Sequence, residues 1–378
     1  MLLAGISNGA VDSGQKHAGM TGRTLGETSR MLPAGTVLLR SPGRRIVVRV
    51  DRRSVLITTV LTVAALAVAA WSLTIGHYPL TVGDVLRILG GGGTLIEYDV
   101  VVSDRLPRVL TGLCTGAAFA VSGAILQRIA TNPLVSPEII GINAGASLGA
   151  LTVSVVLGAS GLFLVAGAIA GALVAMALIV LVATKNGLDG YRLVLVGIGV
   201  TAMLSSAISF VLSRADIYQA HTVAAWLTGS LANRDWPHVW FGVAALALVL
   251  PPLVVLARSL PLLELGDELA SSLAGRRGPH RATLIVLAAA AATLATAAAG
   301  PIAFVALVAP QIARRLLAER GAGLAPAAAA GALLVVTADL AARRLFPAEL
   351  PVGVVTAILG APVLVYLLAR ATRIGHAG

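Results

Sequence analysis

Two pairs of arginines are the residues of this chain best placed to do chemistry. Arg105 and Arg108 stand just ahead of a long apolar run, and Arg343 and Arg344 close another. A three-residue spacing on a helix puts both guanidiniums on one side. A guanidinium is planar, always charged and holds a carboxylate in two-pronged fashion. The pattern therefore suits docking of acidic side chains from a soluble partner, or attraction of an anion. Arginines that only anchor helix ends at a lipid surface would show the same spacing. A second polar feature lies between Leu262 and Gly275. Leu262, Leu265, Leu269 and Leu273 recur at helical spacing, with Glu264, Asp267 and Glu268 off that face and Gly266 within the run. Gly275 is placed to end this short amphipathic helix. Helices that lie on lipid carry Lys and Arg on the polar face, so this acidic one fits a groove on a protein better.

Several chemistries are missing. No phosphate-binding GxxxxGK[ST] loop occurs, because the Gly90–Gly93 run lacks the lysine and any flanking strand. Of seventeen acidic residues, only Glu138 and Asp339 come near an apolar run, each close to its end. Carboxylates at mid-membrane depth mark ion-driven carriers, so a transporter with this pattern would need an external motor. His17, His77, His221, His238, His280 and His376 all fall outside the centres of the apolar runs, leaving no metal-ligand set. Cys114, inside such a run, reads as a small packing residue.

The elements that hold these residues are membrane helices. The 378 residues are 57% hydrophobic and 12% charged, which no soluble domain matches. The mean hydropathy is +0.91. The fold expected is an all-α integral membrane protein of about ten spans, at 54–75, 106–128, 138–157, 162–184, 192–213, 237–257, 282–300, 301–317, 324–342 and 352–369. The 41 glycines would let the helices pack closely. Residues 1–45 are rich in Gly, Ser and Thr and read as a disordered cytoplasmic tail, and 46–378 as one ten-helix transmembrane domain. All but seven of the 28 Lys and Arg fall on one side of this arrangement. The positive-inside rule then puts both termini in the cytoplasm and the four arginines outside. Charge confined to loops argues against nucleic-acid binding.

Local signals punctuate the spans. Asn132 and Pro133 form a tight turn after the second span. Ser136, Pro137 and Glu138 then suit the N-cap and first turn of the third. Gly300 and Pro301 mark a reversal between the two weakest spans, and Pro310 should kink the eighth. Pro351 starts the last span, with Glu349 just before it and Gly353 just after.

At these residues the sequence resembles the FecCD family, permease subunits of bacterial ABC importers for ferric siderophores, haem and vitamin B12. The resemblance runs over about 55–370. It rests on Arg105-Leu106-Pro107-Arg108, the Gly116–Gln127 helix ending in Asn132-Pro133-Leu134, and Gly141 through Gly145. Further matches are Trp226-Leu227-Thr228-Gly229-Ser230-Leu231, Leu265-Gly266, Gly300-Pro301-Ile302-Ala303-Phe304-Val305, and Glu349 through Thr356 with Gly360-Ala361-Pro362. It implies a type II importer fold of ten helices in the bacterial inner membrane. The partners implied are a second permease subunit (identical or not), two ATP-binding subunits that use the ATP, and an extracytoplasmic substrate-binding protein. No cofactor is expected on this chain. By the resemblance, Leu265–Gly275 couples to the ATPase, and Arg105 and Arg108 take salt bridges from the binding protein's glutamates. The third family arginine maps to Arg343 with a one-residue gap, or to Arg344. Gln311 stands where the family often has His. The fifth and tenth helices would line the pathway. Ser136 through Gly141, and Gly229 through Trp236, look closest to ferric-siderophore members. The same machinery carrying vitamin B12 or haem is the nearest rival, and an ion-coupled secondary transporter is the rival of another class.

Overall fold

The computed structural model describes residues 36–40, 47–76, 78–159, 161–183, 190–216, 226–256, 260, 278–317, 323–346 and 348–375. The chain divides into a unit of residues 1–52 and a helical unit of residues 53–378. In the first unit, strand β1 (Thr36–Arg40) pairs antiparallel with β2 (Val47–Asp51). No regular structure was expected before residue 46, and most of the expected tail lies outside the described residues.

The helical unit opens with α1 (Arg52–Thr74). Two short helices follow, α2 (Val82–Leu89) and α3 (Leu95–Tyr98). A seven-residue π-helical stretch, Asp99–Arg105, leads without a break into α4 (Leu106–Ile129). Then come α5 (Pro137–Ile140), α6 (Ile142–Val156), α7 (Leu162–Ala183) and α8 (Gly190–Arg214). The chain closes with α9 (Trp236–Leu256), α10 (Gly278–Ala299), α11 (Val305–Leu316), α12 (Leu324–Arg344) and α13 (Val352–Gly375). Seven of these segments are long and apolar enough to cross a membrane. The ten expected spans correspond to α1, α4 and α6–α13.

α4 is the hub. It packs against α9, α10, α11 and α12, and is buried over most of its length, whereas α1 and α8 are mostly exposed. Small residues make this possible. Gly116 of α4 and Gly331 of α12 face each other so closely that a Cβ on Gly331 would lie 2.2 Å from the Gly116 carbonyl oxygen. Between helices in lipid, such close van der Waals packing replaces the hydrophobic drive of water. Two buried hydroxyls are satisfied across helices: Ser122 Oγ donates to the Ala288 carbonyl at 2.6 Å, and Thr296 Oγ1 to Asn143 Oδ1 at 3.2 Å.

Two of the expected spans are shorter than drawn. At about 1.5 Å per residue, the 15-residue α6 reaches roughly 22 Å and the 12-residue α11 roughly 18 Å, against a hydrocarbon core of about 30 Å. The third span does not start at residue 138. Ser136 caps the separate four-residue α5, and Gly141 breaks it from α6 with φ +98°. A left-handed residue at that point favours glycine.

Candidate functional site

Where α1 and α12 end and α4 begins, three of the four singled-out arginines are bound internally. Arg108 lies over Asp339, with Nε 3.2 and 3.1 Å from the two carboxylate oxygens and a terminal nitrogen at 2.7 Å. Asp339 also pairs with Nε of Arg343 at 3.2 Å, one helical turn further along α12. The same terminal nitrogen of Arg108 meets Glu349 at 2.5 Å. Arg343 reaches on to the Ile75 carbonyl at 3.3 Å and donates to the Ser72 hydroxyl. The Asp339 side chain is 4% exposed, against 43% for Glu349. One buried carboxylate is thus shared by two arginines, and Glu349 brings the second negative charge that offsets them.

Arg105 is turned inward, at the wall of the same cleft that Arg108 lines. It is 4% exposed, and its terminal nitrogens donate to the carbonyls of Leu73 at 2.8 Å and Tyr78 at 2.6 Å. It clasps the end of α1, where Gly76 leaves room for the guanidinium. Arg344 is exposed. This cleft, of about 740 Å³, has walls that also include Trp71, Tyr78, Asp104, Arg344, Phe346 and Glu349. Beside it, Thr81 and Asp84 cap α2 reciprocally, as Thr94 and Glu97 cap α3. Thr81 donates to Asp84 from hydroxyl and backbone N–H, holding that carboxyl below its ordinary pKa. Arg87 of α2 pairs with Glu97 of α3 at 3.0 Å, pinning the two helices together.

Three of the quoted motifs meet in space. The 226–231 loop, the 299–304 break and the start of α13 share backbone hydrogen bonds: Ser230 N–H to the Ala299 carbonyl at 2.9 Å, and Gly353 N–H to the Gly229 carbonyl at 3.0 Å. A Cβ on Gly353 would lie 1.8 Å from the Thr228 carbonyl oxygen, so only glycine fits there. The reversal expected at Gly300-Pro301 is present, with Gly300 at φ +76° and Phe304 left-handed at φ +64°. Non-helical backbone at membrane depth needs internal partners. Glu138 supplies one, accepting from the Phe304 N–H with both carboxylate oxygens at 3.2 and 3.3 Å. Glu138 lies in the first turn of its own short helix, as expected, and also at the N-terminus of α11, where a carboxylate offsets the helix dipole. Beside it, Ile198 and Thr201 of α8, Leu307 of α11 and Leu364 of α13 wall an open, mostly apolar cavity of about 500 Å³. These include the two helices that the resemblance assigns to a pathway. Nearby, Arg234 donates to the Ser230 carbonyl at 3.0 Å, and burial pulls its pKa down to about 10, still charged at neutral pH.

The far end of α11 is tied to the Asn132–Pro133 turn. Asn132 Oδ1 accepts from the Leu134 N–H at 3.0 Å and shapes the turn. Gln311, one residue past Pro310 inside α11, donates to Gln127 Oε1 at 2.8 Å and to the Pro133 carbonyl at 3.1 Å. Arg314 donates to the same Gln127 oxygen at 2.6 Å. Pro351 directly precedes α13 as expected.

Glu264, Leu265, Gly266, Asp267, Leu269, Leu273 and Gly275, the expected coupling helix, lie outside the described residues. Sequence reasoning noted Asp339 and Glu349 by position but gave neither a partner, and it passed over the helices α2 and α3. Asp339 and Arg343 stand at the helical i, i+4 spacing, a legible signal. The Thr-x-x-Asp and Thr-x-x-Glu capping boxes marked α2 and α3. Nothing in the sequence pairs Arg108 with a residue 231 positions away. Among the described residues, no group of three His, Cys, Asp or Glu could hold a metal.

Known proteins share this architecture. A structure of an ABC transporter described as metal-chelate type, in an inward-facing conformation, superposes with a TM-score of 0.73 and 31% identity, covering 83% of this chain and 99% of that one. The ferric enterobactin transport system permease protein FepG of Escherichia coli is 41% identical over 85% of this chain and 98% of its own. The iron(3+)-hydroxamate import system permease protein FhuG of Bacillus subtilis is 37% identical over 79% and 92%. With those relatives matched almost end to end, and the profile of the FecCD transport family running from residue 61 to 370, the chain belongs to the FecCD transport family.

Proposed function

We propose that this chain is the membrane permease subunit of an ATP-driven importer of ferric siderophores. The observation that carries it is the 41% identity, nearly end to end, with the ferric enterobactin permease. A second permease subunit fits the exposed apolar faces of α8 (Leu195, Ile198, Met203, Phe210) and α13 (Ile358, Leu359, Val365). Two such faces would enclose the cavity beside Glu138, whose apolar walls let an iron chelate cross intact. The cargo is substrate and is not re-coordinated by this chain. Two ATP-binding subunits would engage the 262–275 segment from the cytoplasm, where both termini would also lie. On the opposite face, the bacterial inner membrane would present the cleft at Arg108 and Arg344 to an extracytoplasmic binding protein.

The test is transport by the permease reconstituted in proteoliposomes with its ATPase and binding protein, offered a panel of radiolabelled ferric siderophores. Uptake of at least one, blocked by vanadate and insensitive to an uncoupler, is expected. Uptake that an uncoupler abolishes and vanadate spares would replace this reading with an ion-coupled carrier. Uptake of cobalamin or haem in place of every siderophore would reassign the cargo.

A further inference from the structure

We infer that Glu349 is a displaceable counter-ion, occupying the side of Arg108 that a carboxylate of a docking protein would take. This rests on the docking role proposed for the outer cleft. Arg108 meets two carboxylates of different kinds. Asp339 is desolvated and held by two arginines, contacting Nε and one terminal nitrogen of Arg108. Glu349 is 43% exposed and meets that terminal nitrogen at 2.5 Å. Two anions on one nitrogen repel each other, and the exposed one gives way. Glu349 can return to water without leaving a buried charge unpaired, whereas Asp339 cannot. Among the described residues, Arg108 is the only cation in ion-pair contact with Glu349.

The surroundings favour an exchange. Glu349 sits in the 345–351 connection between α12 and α13, which also carries the exposed Leu345 and Phe346. It opens on the 740 Å³ cleft, which is roomy enough for several side chains of a partner. An incoming Glu or Asp would replace one carboxylate with another, so the charge balance at Arg108 is unchanged. Net attraction would come from the exposed Arg344. The undocked cluster thereby stays neutralised, at the cost of weaker docking and easier release.

The experiment measures docking of the cognate substrate-binding protein to the permease–ATPase complex in nanodiscs, at low and high salt. Glu349→Gln should tighten docking roughly fivefold at low salt, the worth of one exposed ion pair, and make it more salt-sensitive. Asp104→Asn removes an equal charge from the same cleft without touching Arg108, and should stay within about twofold of wild type. Unchanged or weaker docking of Glu349→Gln would overturn the inference. Equal tightening by Asp104→Asn would overturn it too, leaving only general attraction. If the wild-type complex does not dock at low salt, the docking role itself falls, and this inference with it.

Discussion

Asp339→Asn and Glu349→Gln each remove a carboxylate from the same guanidinium, yet they should differ several-fold in cost. Asp339 is 4% exposed, and its two arginines have side chains 11% exposed. Its loss leaves Arg343 with only neutral partners and Arg108 with Glu349 alone. Breaking a buried pair in this way costs about 3–5 kcal/mol. The asparagine oxygen recovers part of the hydrogen bonding but none of the charge. Glu349 is 43% exposed, and an ion pair so open to water is worth about 0–1 kcal/mol. The assay is the thermal midpoint of the purified permease in detergent, read by fluorescence-detected gel filtration. Asp339→Asn should lower the midpoint markedly and Glu349→Gln barely. Combining Asp339→Asn with Arg343→Gln removes one of the stranded charges, so the double variant should cost less than the two singles together. If both carboxylate variants melted at the same temperature, or the double variant cost the full sum, the two-layer arrangement of this cluster would be wrong.

Close helix packing gives a second expectation. Gly331→Leu must push α12 off α4, because even its Cβ would lie 2.2 Å from the Gly116 carbonyl oxygen. Overpacking of this kind costs about 1–3 kcal/mol or more, whereas Gly199→Ala on α8, with no atom within 4 Å of its new Cβ, should melt like wild type; the same gel-filtration assay compares them. Leu269→Glu with Leu273→Glu should abolish ATP-driven uptake while the permease still inserts, because a charge buried unpaired in an ATPase groove costs several kcal/mol. Normal transport and co-purification with the ATPase would refute the coupling role.

The apolar runs, and the prolines and glycines that bound them, were enough to place the helices. α4, α7, α9 and α12 begin and end within two residues of the expected spans, since an element that must bury every backbone group in lipid declares itself by composition alone. The sequence also marked the reversal at Gly300-Pro301, the turn at Asn132-Pro133, and the arginines as the residues to watch. It misplaced the start of the third span, because the left-handed Gly141 that splits α5 from α6 leaves no trace in hydropathy. It passed over α2 and α3, whose capping boxes are local but whose helices are too short for an apolar period. What each arginine does was decided by packing. Arg105 and Arg108 share a helix side and a chemical type, yet the end of α1 claims the first, and Asp339, brought over by the α4–α12 crossing, claims the second. Glu138 likewise reaches a helix start 166 residues away. Spacing along one helix is local and can be read from sequence, but which charge meets which across helices depends on how closely those helices approach.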